Sequence, residues 1–541
     1  MIKIQKRRGR SRARTFTITI HRSTLTTGQV YEHVVRSLLY AGIFLLPLVY
    51  SSAFSDETRF PKYAAYVVLT VLISFFSVIA INTAKKRVAA QSSIQTAVIL
   101  FLFGYIIAGI FSANPMTSLL GAHGQWMLSL IGITCFCLIF FISSQIFSRI
   151  RKTDILPWAL VLSGFLISTI LLFNTFVLNF NSSGQADTLP LLPDPIERTV
   201  VLSISDIIGA SLLMRFKERA LQIVLAVILG TILAAIISTG NHVLSMFFLA
   251  IALCCAIPLP EGHRMRIGVG SLVGVLFGIA LIFLMKDLYS DNETIRFHLL
   301  QMKTGIEVLA VKPLAGTGPE MFYIEYRKHI PEWVLNSALW NIDVHYIPNM
   351  YIQVLATAGL AGIIPLAAII ISFIIRFAAK LGSLDPISWG FGSASLVWLA
   401  SLLCATPNVT SLFLGAVILG TTAGMWATSR SVSAKEHSRG KSVVIIVNVA
   451  ITAIFLFAII QCALAERSYT LSLNSSLPES SEYAASAAER NSLEPVYQRN
   501  LATELSAFLR ENPAGDDSTS TLRQINGSYD RAISLNSKDS D

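Results

Sequence analysis

In residues 341–362, "NIDVHYIPNMYIQVLATAGLAG", an acid, an imidazole, a proline and an amide stand immediately before an apolar run. His345 is a group that exchanges a proton near neutrality, and Asp343 and Glu320 are alternative bases behind it, each with a plain loop acid as its structural alternative. Asn349 either caps the segment that follows or offers its amide to a polar ligand. Upstream, the same connecting stretch carries Arg296, Arg327 and Lys328, and between them "KPLAGTGPEMF" with Gly316, Gly318 and Glu320. A guanidinium stays charged and donates in a fixed fork that matches phosphate oxygens. The two glycines free the backbone to turn and to present N–H groups, although the stretch lacks the preceding strand and helix-opening pattern of a nucleotide loop. His242, in "STGNHV", and Arg198 complete the set of candidate binding groups. Structural alternatives are a solvated helix face or a headgroup contact for Arg296, interfacial anchoring beside Tyr323, Tyr326 and Trp333 for Arg327 and Lys328, capping of the following helix or a place among headgroups for His345, and capping or packing for His242.

The elements that must position these residues are membrane helices. The chain has 541 residues, of which 53% are hydrophobic and 14% charged, and its mean hydropathy is +0.62. That apolarity excludes a soluble protein of this size, and it comes in runs long enough to cross a bilayer. Thirteen spans are predicted, at 35–51, 62–82, 94–111, 127–147, 155–178, 198–214, 220–237, 241–259, 267–285, 348–375, 388–404, 408–428 and 442–464. The fold class is therefore an all-α polytopic bundle of 12–13 transmembrane helices. The net charge of +10 is distributed by side rather than gathered into a nucleic-acid patch. The basic tail 1–34 and every second loop carry the Lys and Arg, whereas 112–126 and 179–197 carry neither before Arg198. By the positive-inside rule the N-terminus is cytoplasmic, the C-terminus extracytoplasmic, and the surplus faces anionic membrane lipids.

Two stretches stand outside this alternation. The loop 286–347, about sixty residues, is too long for a plain connection. Its part 292–311 has Ile295, Leu299, Met302, Ile306 and Leu309 at helical spacing, which predicts an amphipathic helix ended by Pro313. The tail 467–541 reads as two amphipathic helices meeting near Pro495, with the start of a further unit after them. It faintly resembles a tetratricopeptide hairpin and offers a surface for a protein partner. The transmembrane unit is then 35–466. All six cysteines fall within or at the edge of predicted spans as packing residues, and no spacing suggests a metal site.

Four stretches, in this order, resemble the O-antigen ligase and O-antigen polymerase superfamily: "RFPKYAAYVVL", "FSANPMTSLLGAHGQWMLSL", "IRFHLLQMKTGIEVLAVKPLAGTGPEMF" and "NMYIQVLATAGLAGI". The likeness covers roughly residues 40–430. The resemblance implies a metal-independent glycosyltransferase of the cytoplasmic (inner) membrane. It would move a glycan from a polyprenyl diphosphate carrier to a glycan or lipid acceptor on the outer face, in cell-surface polysaccharide biosynthesis, without a cofactor. It implies catalytic roles for Arg296 and His345, and substrate binding by Asn349, Arg327, Lys328, Gly316, Gly318, His242 and Arg198. The chain departs from the family pattern at two positions: Pro348 stands where a histidine precedes the asparagine, and His242 stands near an expected arginine. Two other readings compete, a lipid-carrier flippase or transporter and a catalytically inactive scaffold of the same fold. Few ionisable groups at mid-span and no internal repeat speak against the transporter.

Overall fold

The computed structural model describes residues 27–83, 86–148, 155–178, 192, 194–238, 293–337, 344–380, 384–433, 438–511 and 518–535. The predicted spans 241–259 and 267–285, together with His242 and Asp343, lie outside the described residues. The other eleven predicted spans coincide with helices. These are α1 (Thr27–Leu45), α2 (Arg59–Thr83), α3 (Ser93–Ile110), the short α4 (Pro115–Leu120), α5 (Leu130–Ile146) and α6 (Leu156–Phe173), then α7 (Pro195–Arg215) and α8 (Arg219–Ser238). The loop contributes α9 (Glu293–Val311), α10 (Phe322–Arg327) and α11 (Glu332–Leu335), and the bundle continues with α12 (Met350–Lys380), α13 (Pro386–Ser401), α14 (Val409–Met425) and α15 (Ser438–Asn474). The tail forms α16 (Glu479–Arg490), α17 (Pro495–Glu511) and α18 (Ser518–Leu535). One antiparallel ribbon, β1 (Lys86–Gln91) with β2 (Thr428–Ser433), joins two connections.

The protein is an all-α polytopic bundle. Among the described residues six helices are long and apolar enough to cross a membrane, and α5 and α14 are shorter apolar helices packed among them. In lipid the hydrophobic effect does not drive helices together, so close packing must. Small residues provide it. A Cβ on Gly104 of α3 would lie 2.0 Å from the Ala361 carbonyl oxygen of α12, and Cβ atoms on Gly420 and Gly424 of α14 would lie 2.4 Å and 2.1 Å from carbonyl oxygens of α5. Polar side chains are satisfied across the same seams. Ser92 and Gln95 form a capping box at the start of α3, and the Gln95 amide also donates to Ser144 on α5 at 2.8 Å.

The long connections collect at one end of the bundle. There the segment after α3 meets the loop carrying α9–α11 through Ala113–Thr317 and Leu128–Glu320 hydrogen bonds, the start of α12 meets the α13–α14 turn through Asn349–Leu403, and the α1–α2 connection meets α15 through Ser55–Glu466. The predicted amphipathic helix is α9, and it packs on α12. Helices α10 and α11 have six and four residues, too short to hold in isolation. They persist because Phe297, Phe322, Tyr326, Val334, Val344 and Ile347 form a local core, each large apolar side chain contributing about 1.5–3 kcal/mol. Helix α15 runs unbroken for 37 residues, so the boundary read at residue 466 falls inside it. Its last turns carry the α16–α17 hairpin, packed through Ala465, Ala484, Ala487, Ala488, Tyr497 and Leu501.

Candidate functional site

The "GTGPE" turn is built into a broken helix. Gly359, at φ 58° and ψ −152°, interrupts α12, a conformation open to glycine and strained for other residues. The interruption frees backbone groups that the turn takes up. Thr317 and Gly318 donate N–H bonds to the carbonyls of Ala356 and Thr357, both at 2.9 Å, and Leu360 and Ala361 donate to the carbonyls of Pro313 and Leu314 at 2.9 and 3.0 Å. Gly316 (φ 64°) and Gly318 (φ 103°) make the approach sterically possible: a Cβ on Gly316 would lie 2.5 Å from the Ala356 oxygen. The turn thus sits in α12 like a stitch, and its far side is held by the segment after α3. Ser118 donates to the Pro319 carbonyl at 2.7 Å and Ala113 N–H to the Thr317 carbonyl at 3.4 Å. Irregular backbone that is buried in protein satisfies its polar groups in this way.

Glu320 follows at φ 59°, the non-glycine residue in the left-handed region among those described, and this turns its side chain inward to 1% exposure. A residue forced into that region costs about 1–3 kcal/mol, which the surrounding contacts must offset. Its Oε1 accepts from the Leu128 N–H at 2.7 Å and from the Tyr346 hydroxyl at 3.1 Å, while Oε2 is buried with no hydrogen-bond partner among the described residues. Burial raises the carboxyl to about 8, and the two donors hold it from rising further. Burial, and then the Glu320 charge, lift the Tyr346 phenol well above its ordinary range, so Tyr346 acts as a donor. Glu320 is therefore far from a plain loop acid.

The candidate residues from sequence distribute around this core. Tyr346 ties the segment before α12 to Glu320, and its neighbour His345, half-buried, packs its ring on Tyr323 at 5.4 Å between centroids. The Arg327 guanidinium lies over the Tyr323 ring, 5.7 Å from its centroid, so Arg327 and His345 share contact with one aromatic ring. Lys328 faces Glu325 at 3.7 Å, and Lys312 reaches the same carboxylate at 3.3 Å. Arg296 is exposed on α9 and stacks at 4.7 Å over Trp333 of α11. Arg296 and His345 are thus held by different aromatic rings of one loop layer. Asn349 is the cap of α12: its Oδ1 accepts from the N–H groups of Tyr351 (3.0 Å) and Ile352 (3.1 Å), and its amide donates to the Leu403 carbonyl at 3.0 Å. Arg198 donates from Nε to the Leu192 carbonyl beside Asp194.

A second buried polar group lies at the same end. Lys62, in the "FPK" that opens α2, is 1% exposed and electrostatically coupled to Glu197 of α7 and Asp56. Glu197 accepts from the Asn408 amide at 2.8 Å, while its Oε1 has no partner among the described residues. Sequence reading ranked Glu320 behind His345 and gave no role to Tyr346, Lys62 or Glu197. The available signals were the acid directly after "GTGP" and the lysine inside an apolar helix start. The inward direction of each depends on a φ value and on helices distant in sequence. Comparison of the chain with protein-family models and with curated proteins gives no match.

Proposed function

We propose that the protein is a membrane glycosyltransferase of the ligase or polymerase type. It would take a glycan from a polyprenyl diphosphate on the outer face of the cytoplasmic membrane, with the N-terminus inside and the C-terminus outside. The observation that carries this reading is the layer in which the stitched "GTGPE" turn, the buried Glu320, Tyr346, His345 and Arg327 are tied together by contacts 2.7–5.7 Å long. Diphosphate departure needs fixed cations, and hydroxyl attack needs a base near neutrality. In the proposed step an acceptor hydroxyl gives its proton to the His345 ring and its oxygen bonds to the anomeric carbon. The bond from that carbon to the diphosphate oxygen breaks, and its electron pair leaves with the diphosphate, whose charge Arg327, Lys328 and Arg296 neutralise. Glu320 holds Tyr346 and through it the position of His345.

The test is transfer in membranes carrying the chain, supplied with polyprenyl-diphosphate oligosaccharide and an acceptor. Transfer that is lost in Arg296→Ala and His345→Ala supports the assignment, and transfer that survives both substitutions refutes it. The broken α12 favours a second reading, a lipid-carrier transporter, because transporters build their sites from interrupted helices. Translocation of the lipid-linked glycan in proteoliposomes lacking any acceptor would support that reading instead.

A further inference from the structure

The segment 121–129 joins two contacts that the proposed chemistry leaves unexplained. At one end the Leu128 N–H donates to Glu320. At the other, His123 is enclosed by Trp126, Tyr469 of α15 and Tyr497 of α17, with ring centroids at 5.7, 5.1 and 5.7 Å and near-perpendicular planes. Its Nδ1 lies 3.4 Å from Oε2 of Glu466, a fully buried acid on α15. The same carboxylate accepts from the Tyr497 hydroxyl and from Ser55 before α2. Between its two ends the segment is stiff. Ala122 and Gln125 pair as a bridge across Gly124 (φ 78°), Trp126 packs on Phe60 (5.0 Å) and Tyr63 (6.2 Å), and the Ser129 hydroxyl donates to the Trp126 carbonyl at 2.6 Å. A pull on His123 is therefore carried to Leu128.

We propose that the C-terminal helices are a positioning clamp: by gripping His123, Tyr497 and Glu466 fix the 121–129 turn and hence the Leu128 N–H that orients Glu320. The catalytic meaning of the clamp rests on the transferase reading, whereas its geometry does not. Ordering a backbone residue costs about 1–2 kcal/mol, so a turn released at one end gives up its hydrogen bond at the other. A donor that leaves a carboxylate weakens the ionised form. The titratable groups facing Glu320 are the phenols of Tyr346 from its own loop, Tyr105 from α3 and Tyr63 from α2.

The experiment uses the full chain in detergent micelles and dicyclohexylcarbodiimide, an apolar reagent that modifies protonated carboxyls. Modification of Glu320 is followed across pH by peptide mass spectrometry, with Glu320→Gln as the blank. Tyr497→Phe removes one hydroxyl, and His123→Ala removes the gripped ring. The clamp predicts that both variants raise the midpoint of Glu320 modification by about half a unit or more, a threefold change in the ionisation equilibrium. A midpoint that stays or falls in Tyr497→Phe, with elution and tryptophan fluorescence unchanged, overturns it. The transfer assay separates the two ideas. A shifted midpoint in a chain without transfer activity leaves the clamp and removes the transferase reading, and an unshifted midpoint in an active chain does the reverse.

Discussion

Glu320→Gln isolates the energetic consequence of burying an acid in the stitched turn. The amide keeps an oxygen for the Leu128 N–H and the Tyr346 hydroxyl, and it places a donor where Oε2 now has no partner. It therefore copies the protonated acid. The native carboxyl is raised from 4.5 to about 8. Below about pH 4 both native and unfolded chains hold this proton, so the group contributes no pH dependence there. Between about 5 and 8 the unfolded chain has released the proton that the native chain keeps, so wild-type stability falls as pH rises, by about 1.4 kcal/mol per unit, and levels above 8. In Glu320→Gln this slope is absent. The assay is equilibrium unfolding in mixed micelles at half-unit steps from pH 5 to 9, comparing the two chains at each step. Parallel profiles would refute the reasoning, because they would mean that the carboxyl is ionised and solvated in the native state.

Three further outcomes follow from the same geometry. Gly359→Ala places a Cβ 2.6 Å from the Leu314 backbone at φ 58°, so the turn must leave the α12 break. A loss of about 1–3 kcal/mol and new proteolytic cleavage within 312–321 are expected, and unchanged protection would contradict the stitch. Asn349→Ala removes the cap of α12 and should cost about 1 kcal/mol in thermal or chemical unfolding. On the proposed transferase reading, Arg296→Ala abolishes glycan transfer while changing stability by less than about 1 kcal/mol, because the side chain is exposed and its one described contact is the Trp333 face. A comparable fall in stability and transfer would assign Arg296 to structure instead.

Much of the architecture was legible because membrane helices announce themselves. Backbone groups in lipid must be paired within the segment, so a run of apolar residues such as 94–111 has little choice but to be a helix. The amphipathic spacing of Ile295, Leu299, Met302, Ile306 and Leu309 gave α9 for the same reason of local periodicity. The cap role of Asn349 was one of two readings open before, and the structure shows the capping bonds. The glycines of "GTG" and "AGLAG" marked turns, but nothing local says that Gly316 and Gly359 belong to one crossing. That fact is a set of four hydrogen bonds between residues some forty positions apart.

The sequence by itself determined the class of the chain, most of its spans, the long structured loop and the helical tail, because each depends on composition or on periodicity over neighbouring residues. Only the tertiary structure decided which polar groups are buried and what they touch: Glu320 turned inward by a left-handed φ onto Leu128 and Tyr346, Lys62 buried at the start of α2, Glu197 bonded to Asn408, and His123 held by the tail. The physical reason is that burial and pairing are properties of contacts between distant segments. A carboxyl's free energy depends on what surrounds it in space, which the identity of its neighbours along the chain does not specify.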